Sequence, residues 1–147
     1  MMENPQKKCT ECNNETPRLK KNDREAKEIL FDKGGISISL IGVEEIVYDD
    51  IVDEIVVKFL IVNNSANEIR VQPDDESVND FMIEGIMSCD VIPGKKAIGR
   101  LKFELSELID IGVSSIDDIE TIEFYFNIFE RDTYDGLYKS DVVIIRP

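Results

Sequence analysis

The chain has 147 residues, enough for one domain with a short appendage, and it contains no histidine, no tryptophan and only three cysteines. Because histidine is the usual general base near neutral pH and the commonest metal ligand, most hydrolase, proton-relay and zinc-enzyme designs are excluded. The formal charge of −14 arises from residues 29–147, where 25 acidic side chains face 10 basic ones, so nucleic acid and anionic membrane surfaces are disfavoured as partners.

The first 28 residues are a separate unit in composition. Seven Lys or Arg and six Asp or Glu leave few apolar side chains to bury, which predicts a flexible segment. Within it, Cys9 and Cys12 have the two-residue spacing of half a zinc knuckle. A structural zinc needs four ligands and one chain offers a single pair, so a zinc ion would be shared between two chains of a homodimer. The alternative is a pair of free thiols.

The first half of the body alternates apolar and polar residues as β-strands do. Period-two alternation marks the first strand, and the second is rich in β-branched residues on both faces, which predicts a central strand. Pro73 is expected to stop the third strand, and Pro93-Gly94 fits the centre of a type II turn. The strands predicted here cover residues 36–40, 54–62, 68–72, 77–82, 87–92 and 97–105.

The second half contains one short helix and the most regular strand of the chain. Ser106 is predicted to cap the helix at its N-terminus, and Gly112 to end it in the left-handed conformation. Strict alternation over residues 119–130 predicts a core row of Ile122, Phe124, Phe126 and Ile128. A polar loop over residues 131–139 carries Tyr134 and Tyr138, and a last strand covers residues 141–146.

Seven or eight strands with one short helix, and no alternation of strands with long helices, predict an all-β fold. We expect residues 29–147 to form an immunoglobulin-like antiparallel β-sandwich. Cys89 is the one cysteine of this body, so an inter-sheet disulfide is excluded. It is expected to be a buried strand residue rather than a nucleophile, because the chain has no histidine to serve as its base.

Six short motifs, in order and spacing, resemble a recurrent immunoglobulin-like β-sandwich domain of Firmicutes, especially clostridia. They cover residues 62–65, 77–82, 93–96, 105–108, 116–120 and 126–129. In that family the sandwich commonly follows a zinc ribbon and a membrane segment, or a lipoprotein leader. This chain departs from the pattern, since Cys9 and Cys12 match only half of a ribbon and Asp80 stands where such domains often have glycine. The resemblance implies the fold and carries no function with it.

Three acidic clusters, in residues 49–54, 74–76 and 117–120, suggest calcium as a ligand, although their spacing is not that of an EF-hand. The leading hypothesis is a non-enzymatic interaction or structural module for an unknown protein partner, with no cofactor, and Tyr134 and Tyr138 suit its contact surface. A calcium-binding sandwich is the alternative, and an enzyme working through carboxylates alone comes third. No apolar run spans a bilayer, so the chain as written is expected to be cytoplasmic, or cell-surface or secreted if a leader was removed.

Overall fold

Residues 28–147, which a computed structural model describes, form two antiparallel sheets that face each other. Within this range ten strands occur, so the predicted all-β sandwich is confirmed while the predicted number of seven or eight strands is too low. The strands are β1 (Glu28–Lys33), β2 (Ile36–Tyr48), β3 (Ile51–Asn63), β4 (Ile69–Val78), β5 (Phe81–Met82), β6 (Cys89–Val91), β7 (Lys95–Glu104), β8 (Ile122–Glu130), β9 (Gly136–Lys139) and β10 (Val143–Ile145).

The first sheet has the order β1-β2-β3-β7, and the second has the order β10-β8-β4-β5, with β6 also paired to β4 and β9 to β8. The central position predicted for the strand over residues 54–62 is confirmed, because β3 pairs with β2 on one side and β7 on the other. The segment between β5 and β6 crosses to the first sheet, where Ile86 and Lys102 form an isolated bridge. This crossing joins the two sheets along one side.

Two-residue turns connect three of the hairpins. Both residues of each turn have positive φ, as type I′ turns require, and this matches the twist of the flanking strands. The turns are Gly34-Gly35, Asp49-Asp50 and Asn79-Asp80. Two predictions are corrected here: the strand from residue 36 continues to Tyr48 before it turns, and residues 77–82 are two strands rather than one.

Pro73 does not end its strand, contrary to the prediction. It lies inside β4 opposite Phe126, whose N–H and carbonyl both bond to Ser140 on the other side of β8. The Pro73–Phe126 pair is therefore one of the pairs that exchange no backbone hydrogen bonds, and the missing N–H of proline costs the ladder nothing. A bulge between Asp74 and Ser77 then interrupts the pairing.

The core lies between the sheets and is built from their inward-facing positions. Phe59 of the first sheet contacts Phe124 and Phe126 of the second, with ring centroids 5.7 and 5.1 Å apart. The predicted row on β8 is confirmed as core. The residues buried with this row include Ile36, Ile38, Ile55, Val57, Ile61, Ile69, Val71, Leu101, Phe103 and Leu108.

A short helix closes one end of the sandwich and inserts Leu108 into the core. It is α1 (Leu105–Leu108), and a 3₁₀ turn over Ile109–Ile111 follows it. Gly112 ends this segment in the left-handed conformation, as predicted. Ser106 is not the N-cap; that position belongs to Glu104, which makes no capping side-chain hydrogen bond.

Candidate interaction surface

The predicted zinc ligands, Cys9 and Cys12, lie outside the described residues, as does all of the predicted flexible segment 1–28 except Glu28. In the part of the chain that is described, no three His, Cys, Asp or Glu side chains come together in a way that could hold a metal ion.

The acidic clusters form turns and local hydrogen bonds. Asp49-Asp50 is the tip of the β2–β3 hairpin, and Asp74 accepts a hydrogen bond from the Asn127 amide. Asp118 accepts hydrogen bonds from the Ser114 N–H and hydroxyl at 2.9 and 3.0 Å, and these bonds hold the pKa of its carboxyl below the ordinary value. Each cluster therefore has a structural reason for part of its acidity.

Cys89 begins β6 and is half-buried. Burial, with a smaller contribution from the Asp90 carboxylate, raises the pKa of its thiol. A nucleophilic cysteine needs the opposite shift, because the thiolate is the reactive form. These surroundings suit the structural role that the sequence predicted.

The two tyrosines of the 131–139 loop have different surroundings. Tyr138 lies across the edge of the sandwich, where its ring contacts Phe31 at 5.7 Å and leaves no space for a Cβ on Gly34. Tyr138 therefore holds β9 against the β1–β2 turn. Tyr134 is 66% exposed and lies on the outer side of the second sheet. Of the two, Tyr134 is the more exposed.

Two aromatic and cationic groups on this side of the sheet are here together called the Tyr134 surface: Tyr134 with Phe129 and Arg70, and Tyr125 with Lys139. Alternation along β4 and β8 turns Arg70, Tyr125 and Phe129 outward, since the neighbouring Val71 and Ile128 point into the core. The Tyr134 ring contacts Phe129 at 5.7 Å, and the Arg70 guanidinium lies 5.9 Å from the centre of that tyrosine ring. The Lys139 ammonium lies 4.4 Å from the ring centre of Tyr125.

The loop that carries Tyr134 is held in one conformation. Tyr134 has a φ of +62°, in the left-handed region that a bulky side chain rarely occupies. Its N–H donates to the carbonyl of Glu130 at 2.9 Å, while the Glu130 carboxylate accepts from the N–H groups of Asp132 and Thr133. Strained backbone of this kind persists where the surroundings over-determine it, often at functional positions.

Arg70 is fixed as firmly as the tyrosine it contacts. Its Nε and Nη2 donate to the two carboxylate oxygens of Asp90 at 2.6 and 3.0 Å, a bidentate pair. This pair lowers the pKa of Asp90 and raises that of Arg70. Arg131 forms a second ion pair with Glu68 at 2.7 Å, beside the same loop. The Arg70 side chain and the backbone around Tyr134 are thus held by hydrogen bonds within the chain.

The sequence singled out Tyr134 but not Arg70, Tyr125 or Phe129. A signal for two of them was present, because Tyr125 and Phe129 occupy the outward phase of the alternation that predicted the core row. Aromatic residues are enriched in interfaces, so those in the solvent-facing phase of a strand are candidates for contact positions. Arg70 could not be found in this way, since its approach to Tyr134 depends on the pairing of β4 with β8.

No protein family model matches this sequence, and no curated protein matches it either. Within residues 28–147, no helix has the length and apolar character needed to cross a membrane.

Proposed function

We propose that the protein is a non-catalytic interaction module with an immunoglobulin-like fold, and that it binds a protein partner through the Tyr134 surface. The observation that carries the proposal is Tyr134 itself, an exposed aromatic side chain held in a left-handed backbone conformation between Phe129 and Arg70. Tyrosine and arginine dominate the binding energy of protein interfaces when they are rigid and can be desolvated together.

Preorganisation supports this role. Ordering a flexible side chain costs about 0.5–1.5 kcal/mol on binding, and here Arg70 and the Tyr134 loop are already held by hydrogen bonds. The absence of histidine from the sequence and the raised pKa of Cys89 also favour binding over catalysis.

Quantitative affinity capture with substituted proteins tests the proposal. Tyr134→Gly removes the side chain while glycine accepts the positive φ, so the loop is expected to keep its shape. Phe81→Ala is the control, since Phe81 is an exposed aromatic residue (54%) on β5, at the end of the second sheet away from Arg70. We expect at least one protein captured by the wild type and by Phe81→Ala to be lost with Tyr134→Gly, with affinity reduced at least about tenfold.

Each captured protein is then purified and titrated against the three forms, after thermal melts show that all three are folded. Equal affinity of Tyr134→Gly and wild type for every captured protein would contradict the assignment of the Tyr134 surface.

A further inference from the structure

A second exposed surface lies at the far end of the first sheet, on an extension of the β2–β3 hairpin. In the described part of the chain, β1 pairs with β2 from Leu40 to Ile36, and β7 pairs with β3 from Glu54 onward. Residues 41–53, here called the hairpin arm, extend past these described pairings on both sides. Among the described residues, no strand pairs with the outer edges of this arm.

The hairpin arm is ordered by its own ladder and by tertiary contacts, which include the packing of Val43 and Val52 against the core. Its two strands stay paired up to Tyr48 and Ile51 at the tip, with bulges between Leu40 and Gly42 and between Ile46 and Val47. At its base, the Glu45 carboxylate accepts a hydrogen bond of 2.8 Å from the Ile116 N–H. Whatever the arm contacts would meet a preformed surface.

Apolar side chains collect at the end of the arm without cover. Val47, Tyr48 and Ile51 are each at least half exposed, and Tyr48 lies directly opposite Ile51 across the hairpin. Ile51 also lines an open groove of about 420 Å³ whose other wall is the α1 segment, where Ile109 is exposed as well. Exposed apolar side chains beside a groove are typical of an interaction site.

The rim of this groove is acidic. Asp53 and Glu104 line it, and Asp49 and Asp50 form the tip of the arm above it. A second copy of this chain is a poor occupant, because two bodies of such negative charge repel each other. An occupant with positive charges beside apolar groups satisfies both features of the surface.

We propose that the hairpin arm and its groove bind a cationic, apolar segment of a partner protein. Apolar side chains of that segment would cover Ile51 and Ile109, and its Lys or Arg residues would face Asp53 and Glu104. This site is separate from the Tyr134 surface, so it does not rest on the function proposed above.

The test uses a fluorescein-labelled dodecapeptide of alternating lysine and leucine, titrated with the full-length protein at about 0.15 M salt, where exposed charges are screened beyond about 8 Å. We expect binding that weakens at least tenfold in Ile51→Ser and in the pair Asp53→Asn with Glu104→Gln. A peptide with glutamate in place of lysine is expected not to bind.

Matched controls separate a site from general charge attraction. Met82→Ser removes an apolar side chain as exposed as Ile51 (71% against 68%), and Glu120→Gln with Asp141→Asn removes two exposed carboxylates elsewhere. Both controls, and Tyr134→Gly, are expected to bind the peptide within about twofold of the wild type. Equal losses in test and control variants, or no binding by the wild type, would overturn the proposal. So would a dimer in sedimentation that Ile51→Ser dissociates, because the occupant would then be a second copy.

Discussion

Phe126 lies where the two sheets meet, with its ring 5.1 Å from Phe59 across the sandwich and 5.0 Å from Phe124 on its own strand. It is fully buried, so truncation leaves a cavity that its neighbours can fill only in part. We expect Phe126→Ala to lower the free energy of unfolding by about 3–5 kcal/mol in urea denaturation.

Phe81→Ala is the control for this truncation, since Phe81 is 54% exposed and should cost less than about 1 kcal/mol. Similar losses in both variants would mean that burial does not decide the cost, and that the register of β8 is wrong.

Among the elements, the β4–β5 hairpin depends on a turn whose sequence is unfavourable. Asp80 has a φ of +68°, a conformation that costs residues with a Cβ about 1–2 kcal/mol, somewhat less for aspartate. Glycine removes this cost, but it also raises the conformational entropy of the unfolded chain, which offsets part of the stabilisation. We expect Asp80→Gly to raise the free energy of unfolding by about 0.5 kcal/mol.

Asp80→Ala separates backbone conformation from charge, because it removes the carboxylate and keeps the Cβ. It is expected to destabilise the protein, and chemical denaturation of the two variants side by side provides the measurement. If Asp80→Ala stabilised the protein as much as Asp80→Gly, the gain would come from relief of charge repulsion and not from relief of the left-handed backbone conformation.

The same turns explain which elements could be predicted from the sequence. Residue type alone predicts the conformations of Gly112 and Pro93-Gly94, and the left-handed φ of Gly94 agrees with the predicted turn. Asp49-Asp50 contains no glycine to indicate a turn, and residues 41–48 do not alternate apolar and polar side chains. The sequence therefore did not predict the continuation of β2 or the long hairpin. The groove beside the hairpin arm could not be predicted either, because the groove forms only where that hairpin lies beside α1. Local patterns predict strands that face a core, whereas surfaces made by distant segments depend on tertiary pairing.

For the whole molecule, the excess of carboxylates predicts an unusual dependence of stability on pH. Burial, with repulsion from Asp74 and Glu84, raises the pKa of Glu76 above its ordinary 4.5. The folded state then holds this proton more tightly than the unfolded state, so the stabilisation is complete below pH 4.5 and is lost as pH rises through the folded pKa. Asp90 and Asp118 have the opposite shift, and their stabilisation is present above pH 3.8 and lost as pH falls through their folded pKa values.

These opposing shifts predict a maximum of stability on the acidic side of neutrality. We expect the free energy of unfolding in urea to be higher at pH 5 than at pH 7, because the Glu76 carboxylate takes up a proton more readily in the folded state and the net charge becomes less negative than −14. At pH 3 we expect the free energy of unfolding to fall again, because Asp90 and Asp118 lose their stabilisation. Glu76→Gln should reduce the gain between pH 7 and pH 5, whereas Glu120→Gln, which removes an exposed carboxylate, should leave it nearly intact. A gain of the same size in Glu76→Gln and wild type would assign the effect to net charge alone. A continuous loss of stability from pH 7 to pH 5 would mean that carboxylate repulsion does not limit the stability of this sandwich.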